Sequence, residues 1–203
     1  MPADSSPSYA FFDLDGTITR KDTMFAFIRF CYPGITYFSG LILISPVLIL
    51  NRLGIIPSHR AKEILLSRFF KGFTEQKFEE KGKEFARKIL PGLVREIARE
   101  ELSRHQESGK KVVVVTASLS AWCNAWCKEN GLELIATEYE VIDGRISGKI
   151  RGRNCKGEEK VRRIKEKYAV DAAGEIVAYG DSKGDREMLE LADEKYYRWK
   201  RIN

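Results

Sequence analysis

Short apolar runs that each stop at oxygen-bearing side chains recur along this chain, and they limit its fold more than any other feature. Residues 9–14 (Tyr-Ala-Phe-Phe-Asp-Leu) lead into Asp15, Gly16 and Thr17. The run Lys111-Val112-Val113-Val114-Val115-Thr116 follows the turn signal Ser108-Gly109 and ends near Ser118. A third, Glu175-Ile176-Val177-Ala178-Tyr179-Gly180, leads to Asp181 and Asp185. Apolar stretches this short, rich in β-branched and aromatic residues, read as strands covered on both faces, as in a parallel sheet. Between and after them come a helical pattern from Ser118 to Lys128 with Gly131 as its stop, a strand from Leu132 to Ala136, and a hairpin from Glu138 to Ile150 turning at Asp143-Gly144. A second helical pattern covers Glu158 to Tyr168. Strand and helix alternate, which predicts an α/β fold built on a doubly wound, mainly parallel sheet.

From Arg20 to roughly Gln106 the alternation stops. Helical patterns such as Arg60 to Lys71 and Glu75 to Ile89 take over, so residues 21–106 are expected to form an all-helical unit inserted after the first strand, with 1–20 and 107–203 making the core. With 203 residues, 43% of them hydrophobic, the chain suits one catalytic body carrying such an insertion. Within it, Phe30 to Asn51 is 22 residues without a charge, flanked by Arg29 and Arg52, which meets the length of a membrane-spanning helix. A single crossing would put the first strand and the rest of the sheet on opposite sides of a bilayer, and Pro33, Gly34, Gly40 and Pro46 interrupt the stretch. It is therefore expected to be a buried helix pair. The alternatives are a shallow membrane-dipping hairpin, with peripheral membrane contact through 30–51, or an apolar substrate mouth.

The formal charge of +6, from 35 basic and 29 acidic residues, suits an anionic substrate or a membrane surface and equally a solvated basic face. No aromatic-plus-basic recognition motif accompanies it, so nucleic acid is not the expected partner. Cys31, Cys123, Cys127 and Cys155 have neither C-x-x-C spacing nor the density of a disulfide framework, and reduced thiols in a cytoplasmic protein follow. Cys123 and Cys127 share a helix face and read as core. The polar start, Met-Pro-Ala-Asp-Ser-Ser-Pro-Ser, lacks the apolar centre of a signal peptide.

In an open parallel sheet, ligands bind at the carboxyl ends of the strands, and the three runs bring Asp13 and Asp15, Thr116 and Ser118, and Asp181 and Asp185 to that edge. Gly16 permits the backbone curl that turns both Asp13 and Asp15 into one crevice. Carboxylates gathered this closely repel unless a hard cation holds them, and an all-oxygen ligand set selects Mg²⁺. Any one of these pairs read alone is an ordinary turn; pairs after successive strands are not explained that way.

Asp13-Leu14-Asp15-Gly16-Thr17, Val115-Thr116-Ala117-Ser118, a lysine at 160 or 156, and Gly180-Asp181-Ser182-Lys183-Gly184-Asp185 resemble, in order, the four motifs of the haloacid dehalogenase superfamily. The insertion resembles the helical C1-type cap of its phosphoserine phosphatase-like branch. Ile135-Ala-Thr-Glu-Tyr-Glu, Asp143-Gly-Arg-Ile-Ser-Gly and Gly157-Glu-Glu-Lys160-Val are similar to that branch's bacterial phosphatases. The resemblance implies a Rossmann-like core and a phosphatase in which Asp13 attacks phosphorus, giving an aspartyl-phosphate, and Asp15 serves as general acid and then base. It implies Mg²⁺ held by Asp13, the main-chain carbonyl of Asp15 and Asp181, with Asp185 acting directly or from behind. Thr116 and Ser118 would bind the phosphoryl group, as would Lys160, with Lys156 one turn earlier as its alternative. Asp22 stands where phosphoserine-specific members carry a cap-side acid, and it reads equally as the N-cap of a helix starting near Thr23. The second motif continues Ala117-Ser118-Leu119 without paired glycines, a departure from the phosphoserine pattern. The expected substrate is a small soluble phosphomonoester, with a lipid phosphate, phosphoryl transfer to another acceptor, and a non-catalytic phosphate-binding module as the competing readings.

Overall fold

A computed structural model describes residues 6–203 of the chain. Residues 1–5, on which part of the signal-peptide reading rests, lie outside the described residues. Strand β1 (Tyr9–Phe12) is followed by helices α1 (Thr23–Cys31), α2 (Ile35–Arg52), α3 (Ser58–Phe70), α4 (Glu75–Lys88), α5 (Leu90–Leu93) and α6 (Glu96–Glu107). Then come β2 (Lys111–Leu119), α7 (Ser120–Glu129), the hairpin β3 (Glu133–Ile142) and β4 (Arg145–Arg151), α8 (Glu158–Lys167), β5 (Ile176–Gly180), α9 (Arg186–Glu190), β6 (Glu194–Tyr197) and β7 (Lys200–Ile202).

The strands make one sheet in the order β4-β3-β2-β1-β5-β6-β7, parallel except for the edges β4 and β7. β1 lies between β2 and β5 in matched register, Phe12 facing Val114 on one side and Tyr179 on the other. Phe12, Val114 and Tyr179 therefore stand at one level across the sheet, and the Asp13 N–H donates to the Tyr179 carbonyl at 3.0 Å to carry the ladder past Phe12. The unbroken apolar runs are explained by two cores. Ala10, Phe12, Val112, Val114, Val177 and Tyr179 face a cluster that includes Phe27, Phe70, Phe78, Phe85 and Trp122. The alternate residues Tyr9, Phe11, Val113, Val115, Ile176 and Ala178 face Ile164, Tyr168, Met188 and Leu189. A strand covered on both faces has no solvent side to alternate toward. All four cysteines are free thiols.

Three details differ from the sequence reading. β2 runs to Leu119, which pairs with Thr137 after an irregularity following Val115, so α7 begins at Ser120 rather than Ser118. β6 and β7 carry no sequence signal; four and three residues long, they are too short for periodicity to register. The largest correction concerns 30–51. Pro33 and Gly34 do separate two helices, but α2 is continuous through Pro46, and of its residues Gly40 and Ile44 alone are buried. Gly40 lies against the Phe69 ring, where a Cβ would collide with it, and Tyr37, Leu41 and Leu48 are half-buried against the same core, so α2 meets α3 along one side and turns Ile35, Phe38, Ile42, Leu43 and Ile49 outward. The expectation of a buried helix pair fails because a hydrophobic run records composition, and whether a neighbour covers it is a tertiary matter.

Candidate active site

The carboxyl-terminal ends of β2, β1 and β5 place Asp13, the Thr116–Ser118 segment and the Asp181–Asp185 loop around one cavity of ≈260 Å³. Asp13 is 7% exposed and Asp185 1%. Lys160 extends from the first turn of α8 into the space between them. Its ammonium donates to Asp13 Oδ1 at 2.6 Å, Asp185 Oδ1 at 2.7 Å and the Val115 carbonyl at 2.6 Å. An ammonium has three protons, and all three are used. Lys156, the alternative, lines the cavity mouth and reaches Ser58 Oγ at 3.4 Å.

Asp185 is saturated. Its second oxygen accepts from Ser182 Oγ at 2.8 Å and from the Ser182 and Asp181 N–H groups at 3.0 and 3.3 Å, within a capping box around the Lys183–Asp185 turn. By contrast, among the described residues no donor reaches the second oxygen of Asp13, the Asp181 carboxylate or the Asp15 carbonyl. One oxygen from each of Asp13, Asp181 and Asp185 lies within 4.8 Å of the others. Gly16 keeps this space open: with φ at +87°, its missing Cβ is where the Asp181 carboxylate sits.

The charges do not balance within the cluster. Burial pushes the Asp13 carboxyl up to about 8 against the opposing charge of Lys160, and the Asp185 and Asp15 charges add to the rise. Burial and the Asp185 charge likewise raise Asp181. Asp185 moves the other way: burial disfavours its charged form, but Lys160 and the Ser182 hydrogen bonds outweigh that and hold it below the ordinary carboxylate value. An oxygen-only set with free acceptors and excess negative charge fits a hard divalent cation.

Asp15 is oriented from two sides. The Thr23 N–H donates to Oδ1 at 2.6 Å and the Ser118 hydroxyl to Oδ2 at 2.5 Å. Behind Ser118, the Thr23 hydroxyl lies 2.8 Å away and itself accepts from Trp122 Nε1 at 3.0 Å. Because Ser118 spends its proton on Asp15, Thr23 donates to Ser118, and a chain runs from the Trp122 indole to the Asp15 carboxylate. Ser118, expected at the phosphoryl group, lines the cavity with its hydroxyl donated to Asp15. Thr116 is fully buried, its hydroxyl accepts the Ser118 N–H at 2.9 Å, and Ala117 and Ser118 form the cavity wall there. Asp22 caps α1, accepting from the Met24 and Phe25 N–H groups at 2.9 and 3.2 Å. It also lines the cavity.

Thr23, Trp122, Lys62 and Asn154 carry no motif signal. Lys62, on α3, reaches across the cavity to the Ala117 carbonyl and to Asn154 Oδ1 at 2.5 Å. Burial lowers its ammonium to about 8, while Asp15 and Asp22 work to keep it charged. Its position follows from how α3 packs, which spacing along the chain does not encode.

Comparison with known proteins places this arrangement. Protein CicA of Caulobacter vibrioides is 35% identical over 196 residues, spanning 95% of this chain and 86% of that protein. A Bordetella pertussis Tohama I protein of unknown function superposes with a TM-score of 0.82 at 23% identity, over 94% of this chain and 89% of that one. A substrate-bound phosphoserine phosphatase superposes with a TM-score of 0.68 at 19% identity, over 95% and 86%. At those identities the superpositions speak for the fold. The description haloacid dehalogenase-like hydrolase matches residues 10–190, which takes in every carboxylate of the cavity and Lys160. The chain belongs to the haloacid dehalogenase-like hydrolase family.

Proposed function

We propose that this chain is a Mg²⁺-dependent phosphomonoester hydrolase working through an aspartyl-phosphate on Asp13. The observation that carries the reading is the meeting of a buried Asp13, with one oxygen free, and a Lys160 ammonium 2.6 Å from its other oxygen. A carboxylate is a workable nucleophile once positive charge neutralises the phosphoryl oxygens it approaches. Asp13 attacks phosphorus as the ester P–O bond breaks, and Asp15, held by Thr23 and Ser118, protonates the departing oxygen. Asp15 then takes a proton from water, whose oxygen attacks the same phosphorus and returns Asp13 as a free carboxylate. Asp13, Asp181 and the Asp15 carbonyl would hold Mg²⁺, with the saturated Asp185 orienting the group from behind. Bound there, the ion supplies charge stabilisation to the phosphoryl oxygens. Lys62 and Asp22 face the cavity from the helical side, where a cap would choose the substrate.

Phosphoserine phosphatases among the similar proteins support phosphomonoester chemistry, including one from Archaeoglobus fulgidus that is 34% identical over 98 residues, 47% of this chain and 28% of that protein. The substrate we infer is a small phosphomonoester. The test is phosphate release from an aryl phosphate with Mg²⁺, followed by a panel of amino-acid, sugar, nucleotide and lipid phosphates. Asp13→Asn is expected to abolish release while leaving the melting curve in place. Turnover surviving at about a tenth of wild type would remove Asp13 as the nucleophile.

A further inference from the structure

Helix α2 takes no part in the site, yet it carries a large apolar surface. Its 18 residues have a mean hydropathy of 1.5, and 11% of them are buried. Opposite the Gly40 and Ile44 seam, Ile35 is 81% exposed, Phe38 54%, Ile42 73%, Leu43 66% and Ile49 59%, and Leu53 and Ile55 continue the patch at 68% and 66%. The steps from Ile35 to Phe38, Ile42, Ile49 and Leu53 follow helical spacing, so these side chains share one side. At the rise of an α-helix the stripe is roughly 27 Å long, more than scattered surface residues account for.

Charge identifies what this surface meets. From Thr23 to Lys62 the chain has no aspartate or glutamate and four basic residues, Arg29, Arg52, Arg60 and Lys62. Arg29, Arg52 and Arg60 are exposed, and among the described residues Arg60 alone of the three pairs with an acid, Glu63 at 3.6 Å. Two copies meeting through this face would set one arginine rim against another, which like charges oppose. A bilayer with anionic headgroups satisfies the apolar stripe and the basic rim together. The helix cannot cross such a bilayer, because both of its ends return to one body: α1 packs on α4 and β2, and α3 packs on β4.

We propose that α2 is an in-plane docking helix that seats the protein on an anionic membrane surface. The proposal does not rest on the phosphatase reading. It is tested by co-sedimentation of the full chain with phosphatidylcholine vesicles, with and without about 30% phosphatidylglycerol. Binding to the anionic vesicles is expected, about tenfold or more weaker on phosphatidylcholine alone and in about 0.5 M NaCl. Ile42→Gln combined with Ile49→Gln removes two exposed apolar contacts without adding charge, and is expected to weaken binding about tenfold or more at an unchanged melting temperature. A protein that stays in the supernatant overturns the proposal, as does a double variant that binds as tightly as wild type. So does a dimer in size-exclusion chromatography that the double variant dissolves while vesicles capture neither form.

Discussion

Lys160 is the residue whose removal has the most calculable consequence. Its ammonium is 1% exposed, and the Asp13 and Asp185 side chains beside it are 10% and 2% exposed. At the contact distances of 2.6 and 2.7 Å, each attraction is worth about 6 kcal/mol at an effective dielectric constant of about 20, and burying the three ions offsets much of that. Lys160→Met keeps the volume and removes the charge, leaving two buried carboxylates facing each other and the Val115 carbonyl without its donor. Truncating one partner of such a pair costs about 3–5 kcal/mol, which for a domain of this size lowers the melting temperature by about 6–20 °C. Calorimetry in metal-free buffer measures this directly. Adding Mg²⁺ separates the electrostatic account from simple loss of packing: with the competing ammonium gone, the ion is expected to stabilise the variant by more than it stabilises wild type. Phosphate release should nevertheless be lost. A melting temperature within about 3 °C of wild type, or a smaller Mg²⁺-induced rise in the variant, would refute the reasoning.

Two further outcomes follow from the hydrogen bonds and burial described above. Ser118→Ala removes one of the two donors holding Asp15, so kcat should fall about tenfold or more with KM little changed; steady-state kinetics equal to wild type would remove Ser118 from the Asp15 support. His105 is 1% exposed and, chiefly through burial with Arg104 adding, is lowered from 6.5 to about 4. A histidine depressed in the folded state resists the protonation that the unfolded chain accepts, so its contribution is intact above about pH 6.5 and disappears as pH falls toward 4, by about 3 kcal/mol in all. Urea denaturation across that window should show His105→Gln losing less stability than wild type by roughly this amount, and a stability difference independent of pH would contradict it.

Much of the core was legible because strand and loop chemistry are local. Tyr9 to Phe12, Val112 to Val115 and Ile176 to Gly180 announce buried strands by side-chain type alone, and the acids that follow them mark the strand ends where a parallel sheet gathers its ligands. The hairpin turn at Asp143-Gly144 was legible for the same reason, since Ile142 and Arg145 pair directly across it. Lys160 was separated from Lys156 by context in the sequence, and the structure buries it for a physical reason: from the first turn of α8 its chain is long enough to bring the ammonium to three acceptors. The hydrogen-bond partners of Ser118 and Thr116 were not legible. Both lie in the last part of β2, beside the cavity, but a hydroxyl satisfies whichever partner the fold brings nearest, and for Ser118 that partner comes from a loop 103 residues away.

The fate of the uncharged stretch draws the same line most clearly. The sequence by itself determined that residues 30–51 would be apolar, helical in pattern and edged by arginines, and that Asp13, Asp15, Asp181 and Asp185 would stand at strand ends. Those properties depend on residue type and near neighbours. Only the tertiary structure decided that α2 would rest on α3 through Gly40 and Ile44 and leave its other side uncovered, that Trp122 and Thr23 would stand behind Asp15, and that Lys62 would cross the cavity from the helical side. Burial and hydrogen-bond partnership depend on which distant surface arrives, and that is set by the packing of whole elements.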